Sequence, residues 1–361
     1  MLSKVETIQK VLKKKKLDLA LITSTPNIRY ILNKYDMQYG GIICIPKDQQ
    51  PFMISSAFES ADVRDYGIDV FSVSNKVKAD IKAKNKLEAL KKILKEKKIS
   101  TKKIGLELGF LNFLTYDKIR KKIRSSYNDI SEELLNIRAI KSKQEISILK
   151  KGARITVRGM KAVRESLTPN MTEKEIAGIF EAEVRKHADW YSFDTIVASG
   201  KNSSKPHHQI TERKILAKDL IVIDCGIIYK NMHTDMTRTF CLKPGEKEKI
   251  LHKIVLEAQK VAINKLKTGI KASIIDKAAR DYMKKLNHNQ YFTHGLGHGV
   301  GMDIHEKPSL DPDSKDILKE NMIFTIEPGA YIPEFGGVRI EDMVLLTKKG
   351  KQILTKFTRR L

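Results

Sequence analysis

Four acidic residues stand in this chain where apolar strands should run, and they constrain it more than any other feature. Asp224 lies in LIVIDCGIIY, and Asp235 follows eleven residues later in HTDMTRT, after a hairpin signal at Lys230-Asn231. Glu327 interrupts MIFTIEPGAY, and Glu341 comes fourteen residues after it in GGVRIEDMVLL. Strand alternation would bury these side chains. A buried, unpaired carboxylate is costly, so it protonates, pairs with a base or binds a cation. The nearby arginines, chiefly Arg238 and Arg339, are too few to neutralise all four. A metal site accounts for the surplus charge better than ion pairing does.

A second cluster lies between the two acidic pairs. THGLGHGVGMDIH holds His294, His298 and His305 among glycines at 295, 297, 299 and 301. Glycines at that density permit close backbone approach and positive φ, so the segment is not an ordinary helix. The spacing of His294 and His298 is therefore not that of the two-histidine zinc helix. Four carboxylates and a histidine make a hard, oxygen-rich site whose charge balances two divalent ions, with a readily deprotonated water between them. Such ligation favours Mn²⁺ or Co²⁺, with Fe²⁺ and Zn²⁺ as the remaining candidates. Cys225, beside Asp224, reads as packing rather than as a ligand.

The rest of the chain frames that site. Its 361 residues exceed one ordinary domain, and 41% hydrophobic content fills a core without disulfides or a structural metal. Ser3 and Glu6 have capping-box spacing ahead of an apolar face of Val5, Ile8, Val11 and Leu12. Strands are predicted at 19–24, 41–45, 51–55, 70–73 and 104–108, with a turn at Thr25-Pro26-Asn27 and a lysine-rich helix over 76–98. Residues 1–130 thus read as a small α/β domain. An ordered helical connection, 131–165, leads into a larger segment spanning 150–361. There Thr172 and Glu175 form a capping box before a helix lined by Ile176, Ile179, Phe180 and Val184. Strands follow at 195–199, 220–229 and 235–242; helices at 247–267 and 273–287 then precede strands at 322–332 and 338–346. Helices then strands, twice, indicate two similar halves.

A net charge of +25 raises the question of polyanions. The basic residues are mostly lysines, spread along the chain among helical apolar positions, and the 7% of aromatics are not interleaved with them as stacking platforms. They read as solvated helix faces, and no nucleic-acid partner is expected. No apolar run of about 18 residues could span a bilayer, so no membrane association is expected either. The lysine-rich start lacks the apolar core of a signal peptide. Three cysteines without CxxC spacing suit a reducing, cytoplasmic compartment.

The ordered set DCG…TDMTRT…HGLGHGVG…EPG…RIED resembles the pita-bread metallopeptidases, specifically their Xaa-Pro branch of prolidases and aminopeptidases P. PNIRYIL resembles the creatinase-type N-terminal domain of the same proteins. The resemblance implies an α+β pita-bread catalytic domain preceded by a smaller α/β domain, a homodimer, and peptide substrates with proline at the second position. It implies that Asp235 and Glu341 bridge two metals, that Asp224 holds one, and that His298 with Glu327 holds the other. Glu327 resembles the proton shuttle. His207 matches a histidine near the substrate, whereas His208 stands where the family varies. His294 and His305 resemble the groups that grip proline and stabilise the tetrahedral intermediate; Arg339 and Tyr331 match positions beside the metals. HEKPSL places Ser309 where many dipeptidases carry an arginine for the substrate carboxylate, which favours longer peptides. Other readings are a non-catalytic relative that binds nucleic acid or protein, a metal-free creatinase-like amidinohydrolase, and a methionine aminopeptidase. The first two fit poorly with five intact ligand positions, and the last generally lacks the front domain.

Overall fold

Apolar strands and lysine-edged helices alternate through the first third of the chain and fold onto a single mixed sheet. The structure, a computed structural model, describes residues 2–34, 40–59 and 67–361, residues 2 and 3 without their side chains. The chain divides into two units, Met1–Arg138 and Ala139–Leu361.

The first unit runs α1 (Leu2–Lys15), β1 (Leu19–Ile22), α2 (Thr25–Leu32), β2 (Ile42–Pro46), β3 (Phe52–Ser56), β4 (Asp69–Ser74), β5 (Ile81–Lys82), α3 (Lys86–Glu96), β6 (Lys103–Leu106), α4 (Phe113–Lys122) and β7 (Ser126–Asp129). The strands order as β5-β4-β3-β2-β1-β6-β7, antiparallel at β1–β2 and β2–β3 and parallel elsewhere. Helix α1 buries Val5, Ile8 and Leu12; the capping box expected at Ser3 lies outside the described side chains.

Two expectations are corrected here. Thr25-Pro26-Asn27 is not a turn but the start of α2, because proline in a first helical turn gives up an N–H that has no partner anyway. The helix expected over 76–98 is only α3: Asn85 accepts from the Glu88 backbone N–H at 3.0 Å and starts the helix there.

The helical stretch at 131–165 consists of α5 (Ser131–Ala139) and α6 (Lys143–Ser166), the latter opened by a capping box of Ser142 and Glu145. The division between units falls inside this stretch. Helices α6 and α7 (Glu173–Val184) precede β8 (Trp190–Tyr191), β9 (Ile196–Ser199), β10 (Ile221–Cys225), β11 (Ile227–Tyr229), β12 (Met232–His233) and β13 (Met236–Phe240). Helices α8 (Glu246–Lys265) and α9 (Ala272–Lys285) precede β14 (Gly297–Gly299), β15 (Glu306–Leu310), β16 (Ile323–Ile326), β17 (Gly329–Ile332), β18 (Gly336–Arg339), β19 (Asp342–Thr347) and β20 (Gly350–Ile353). Each half has its own core, one around Met160, Phe180 and Ile223, the other around Val255, Ile275 and Phe324. Truncating a phenylalanine buried like Phe180 costs about 3–5 kcal/mol.

The strands that carry the acidic residues are interrupted. Pro328 has no N–H for a ladder, so 322–332 splits into β16, paired with β19, and β17, paired with β18. Glu327 and Glu341 occupy the two breaks, and Asp235 lies between β12 and β13, leaving Asp224 alone inside a ladder. The hairpin at Lys230-Asn231 forms with both residues at positive φ, 50° and 55°, as a two-residue turn of matching twist requires.

Candidate metal centre

Strand β10 presents Asp224 opposite Thr237 of β13, and the Glu341 N–H bonds to the Thr237 carbonyl at 3.1 Å, bringing the second half of the domain against the first. Side chains from both halves converge there. Ligand-type atoms of Asp235, His298 and Glu341 all lie within 4.8 Å of one another. His298 Nε2 is 3.3 Å from Glu327 Oε1 and 3.5 Å from Asp235 Oδ2. Its Nδ1 donates to the Gly299 carbonyl at 3.1 Å, which fixes the tautomer and leaves Nε2 facing the carboxylates. Gly297 and Gly299 flank this histidine because a Cβ at either would collide with the Thr325 or Lys307 carbonyl. Close approach, not positive φ, is what these glycines supply.

Hydrogen bonds to the cluster run short. Thr237 Oγ1 donates to Glu341 Oε2 at 2.8 Å, Thr325 Oγ1 donates to Glu327 Oε1 at 3.0 Å, and Arg339 Nη2 donates to Asp224 Oδ2 at 2.7 Å. Among the described residues, Asp224 Oδ1, Asp235 Oδ1 and Glu341 Oε1 are buried with no hydrogen-bond partner. Burial, then the Asp224 and Glu327 charges, push Asp235 well above the usual carboxylate range. Burial, then Asp235 and Glu327, do the same to Glu341. Arg238 does not relieve them: it is buried against Asp342 at 2.8 Å and against carbonyls including that of Thr355. Orphaned buried oxygens, a surplus of negative charge and a histidine with its free nitrogen turned inward fit divalent cations, whose charge inverts the carboxylates' preference for protons.

A cavity of about 1020 Å³ opens on the cluster. Asp224, Asp235, His298 and Glu327 line it, and so do His207, His294 and His305. In this wall a donor chain runs from Arg339 Nη1 to Tyr331 Oη at 2.7 Å and from Tyr331 Oη to His294 Nε2 at 2.9 Å; His294 Nδ1 donates to the Gly295 carbonyl at 2.8 Å. Burial, reinforced by Arg339, lowers the pKa of His294, and burial raises the Tyr331 hydroxyl to about 12. His305 stacks edge-on to His298 with ring centroids 4.2 Å apart; burial and His298 lower its pKa. His207 is exposed into the cavity, and His208 is buried 2.9 Å from Glu173. Cys225 is a free, buried thiol.

The sequence reading passed over Thr237 and Thr325. Each stands two residues from a site carboxylate, Thr237 after Asp235 and Thr325 before Glu327, and that spacing was the available signal.

A doubled α+β domain with an oxygen-rich cation site where its halves meet is the frame of a metal-dependent hydrolase. The chain belongs to metallopeptidase family M24, whose model matches residues 147–348, and the creatinase/prolidase N-terminal domain matches residues 4–140. It is 34% identical over 361 residues to the Xaa-Pro dipeptidase of Pyrococcus horikoshii, covering 99% of this chain and 98% of that protein. Among solved structures, the Xaa-Pro dipeptidase from Bacillus anthracis superposes with a TM-score of 0.92 at 32% identity, covering 100% and 99% of the two chains. The X-Pro aminopeptidase from Thermotoga maritima gives 0.85 at 30%, covering 96% and 97%. The catalytic domain is thus a pita-bread fold that follows a creatinase-type α/β domain in the chain. Among the described residues no helix is long and apolar enough to cross a membrane.

Proposed function

We propose that this protein hydrolyses the peptide bond between an N-terminal residue and a following proline, with its chemistry confined to residues 150–361. The observation that carries this reading is the convergence of Asp224, Asp235, His298 and Glu327 on the floor of a peptide-sized cavity, with a Glu341 carboxylate oxygen within 4.8 Å of ligand-type atoms of Asp235 and His298. Two divalent ions held by those five side chains, Mn²⁺ or Co²⁺ foremost, would supply an activated water and polarise the scissile carbonyl. Glu327, hydrogen-bonded by Thr325, stands at the cavity surface to take a proton and pass it to the proline nitrogen. His294, kept neutral by burial and accepting from Tyr331, is suited to hold the proline residue rather than to carry charge. His305 and His207 border the same space, where a developing oxyanion could accept from an imidazole N–H. Arg339 joins Asp224 to Tyr331 and orients both.

Ser309 supports action on peptides longer than two residues. Its hydroxyl donates to Asp311, and both side chains line the cavity, so this wall offers a carboxylate rather than a guanidinium to a substrate's free C-terminus. The test is turnover of Xaa-Pro dipeptides against Xaa-Pro-Yaa tripeptides with Mn²⁺. Tripeptides should be preferred. Cleavage confined to dipeptides overturns the length preference, and no cleavage of either with Mn²⁺ or Co²⁺ overturns the activity. A cytoplasmic setting, which three buried free thiols support, and a homodimer belong to the same reading; sedimentation tests the latter.

A further inference from the structure

Glu173, the first residue of α7, is fully buried and lies outside the cluster. Oε1 accepts from Ser199 N at 3.0 Å, Ser199 Oγ at 2.7 Å and Asn202 Nδ2 at 3.1 Å. Oε2 accepts from Thr211 N at 3.0 Å, Thr211 Oγ1 at 2.7 Å and His208 Nε2 at 2.9 Å. Six donors on one carboxylate are far more than helix capping needs, and that task is already met by Thr172 and Glu175 next to it. The donors come from the two ends of one loop, 199–202 and 208–211. Between them lies His207, which lines the cavity while, among the described residues, no side chain hydrogen-bonds its ring. Its neighbours on both sides are held: Arg339 Nη1 donates to the Pro206 carbonyl at 3.2 Å, and His208 is bonded to Glu173.

We propose that Glu173 is a positioning residue that sets His207 against the substrate by fastening both ends of the loop that carries it. The inference rests on the peptidase reading above. Burying an ionised carboxylate is costly unless donors compensate it, and these six do so: despite burial, the bonds from Thr211, His208, Asn202 and Ser199 hold Glu173 down at about 2. The chain thus maintains a buried charge at one place where it orders a loop. A catalytic-domain scaffold alone would need no ionised group there.

The experiment is a double-mutant cycle of Glu173→Gln and His207→Ala with an Xaa-Pro tripeptide and Mn²⁺. Glu173→Gln keeps the shape but turns a donor toward donors. It should raise KM about tenfold, leave kcat within about twofold, and leave Mn²⁺ affinity by calorimetry unchanged. Added to His207→Ala it should cost nothing further, because both act through the same ring. Losses that multiply in the double variant overturn the inference. Should Glu173→Gln not fold, Asn202→Ala and Thr211→Val, which each remove one side-chain donor, go through the same cycle with smaller effects of the same sign. Hydrogen exchange keeps the two readings apart. Glu173→Gln should strip protection from the amides of Ser199 and Thr211 while β10 keeps its own, whether or not the wild type turns over peptides. Unchanged protection overturns the clamp, whereas an inactive wild type with a loosened loop counts against the peptidase reading alone.

Discussion

Glu173 and Asp235 are buried carboxylates of the same domain, yet their surroundings are opposite. Glu173 has a donor for every lone pair and is held at about 2. Asp235 has an orphaned Oδ1, carboxylate neighbours, and a pKa driven upward by burial and by those charges. The first unit repeats the satisfied case. Glu107, also fully buried, accepts from the backbone N–H groups of Thr23 and Ser24, both their hydroxyls and Asn27 Nδ2. Burial alone therefore does not make a candidate cation site; a cluster of buried carboxylates short of donors does. Where donors are complete, the carboxylate organises backbone. Where they are missing, as at Asp235, the negative charge stays uncompensated by the chain's own donors.

Removing the charge should separate the two cases by sign. Asp235→Asn should lower kcat/KM roughly a thousandfold, about 4 kcal/mol at 1.36 kcal/mol per tenfold. In chelator, however, the same variant should melt above the wild type, since it relieves repulsion from Asp224 and Glu327. Glu173→Gln should melt below the wild type with or without metal. Differential scanning fluorimetry in chelator checks both, and a lowered Tm for Asp235→Asn would break the comparison.

Acid gives the next largest effect. The folded pKa of Glu173, about 2, lies below its ordinary 4.5. Its stabilisation is therefore complete above pH 4.5 and is lost as pH falls toward 2. The loss is on the order of 3 kcal/mol across that window. Urea midpoints measured from pH 5 to pH 2.5 should fall more steeply for the wild type than for Glu173→Gln. Parallel slopes would show that the donors do not hold the charge.

Thr237 sharpens the comparison from the other side, because it is one of the few donors the cluster does have. It donates to Glu341 and accepts from Arg339 Nε at 3.1 Å. Thr237→Val should weaken Mn²⁺ binding roughly 10–100-fold by titration calorimetry, and unchanged affinity would deny it that role.

How much of this could be read beforehand follows from the same contrast. The four site carboxylates and His298 were legible because charge in an apolar stretch, or histidine among glycines, departs from what a strand or helix needs. The doubling of helices and strands was legible from periodicity. Thr237 and Thr325 were hidden because threonine is an ordinary strand residue whose partner is set by tertiary pairing. Glu173 was hidden because an acid in the first helical turn already has a local explanation. The breaks at Glu327-Pro328 and Ile340-Glu341 were hidden because apolar alternation runs through them, and only the exchange of strand partners ends each ladder. Thr25-Pro26-Asn27 misled because proline opens helices as readily as turns.

The smallest effect tests whether the clamp can be told from the helix it begins. Thr172 Oγ1 accepts from the Glu175 N–H at 3.1 Å, and the Glu175 carboxylate accepts from the Thr172 N–H at 2.7 Å. Thr172→Ala removes the side-chain half of that box and should cost about 1 kcal/mol in chemical denaturation. It leaves all six donors on Glu173, so KM for an Xaa-Pro tripeptide should stay within about twofold of the wild type, less than one-third of a log unit. A stability loss without a KM change assigns helix capping to Thr172 and loop placement to its neighbour. If Thr172→Ala instead raised KM as far as Glu173→Gln does, fraying of α7 would explain both variants. The satisfied carboxylate would then be a support for the helix rather than for His207.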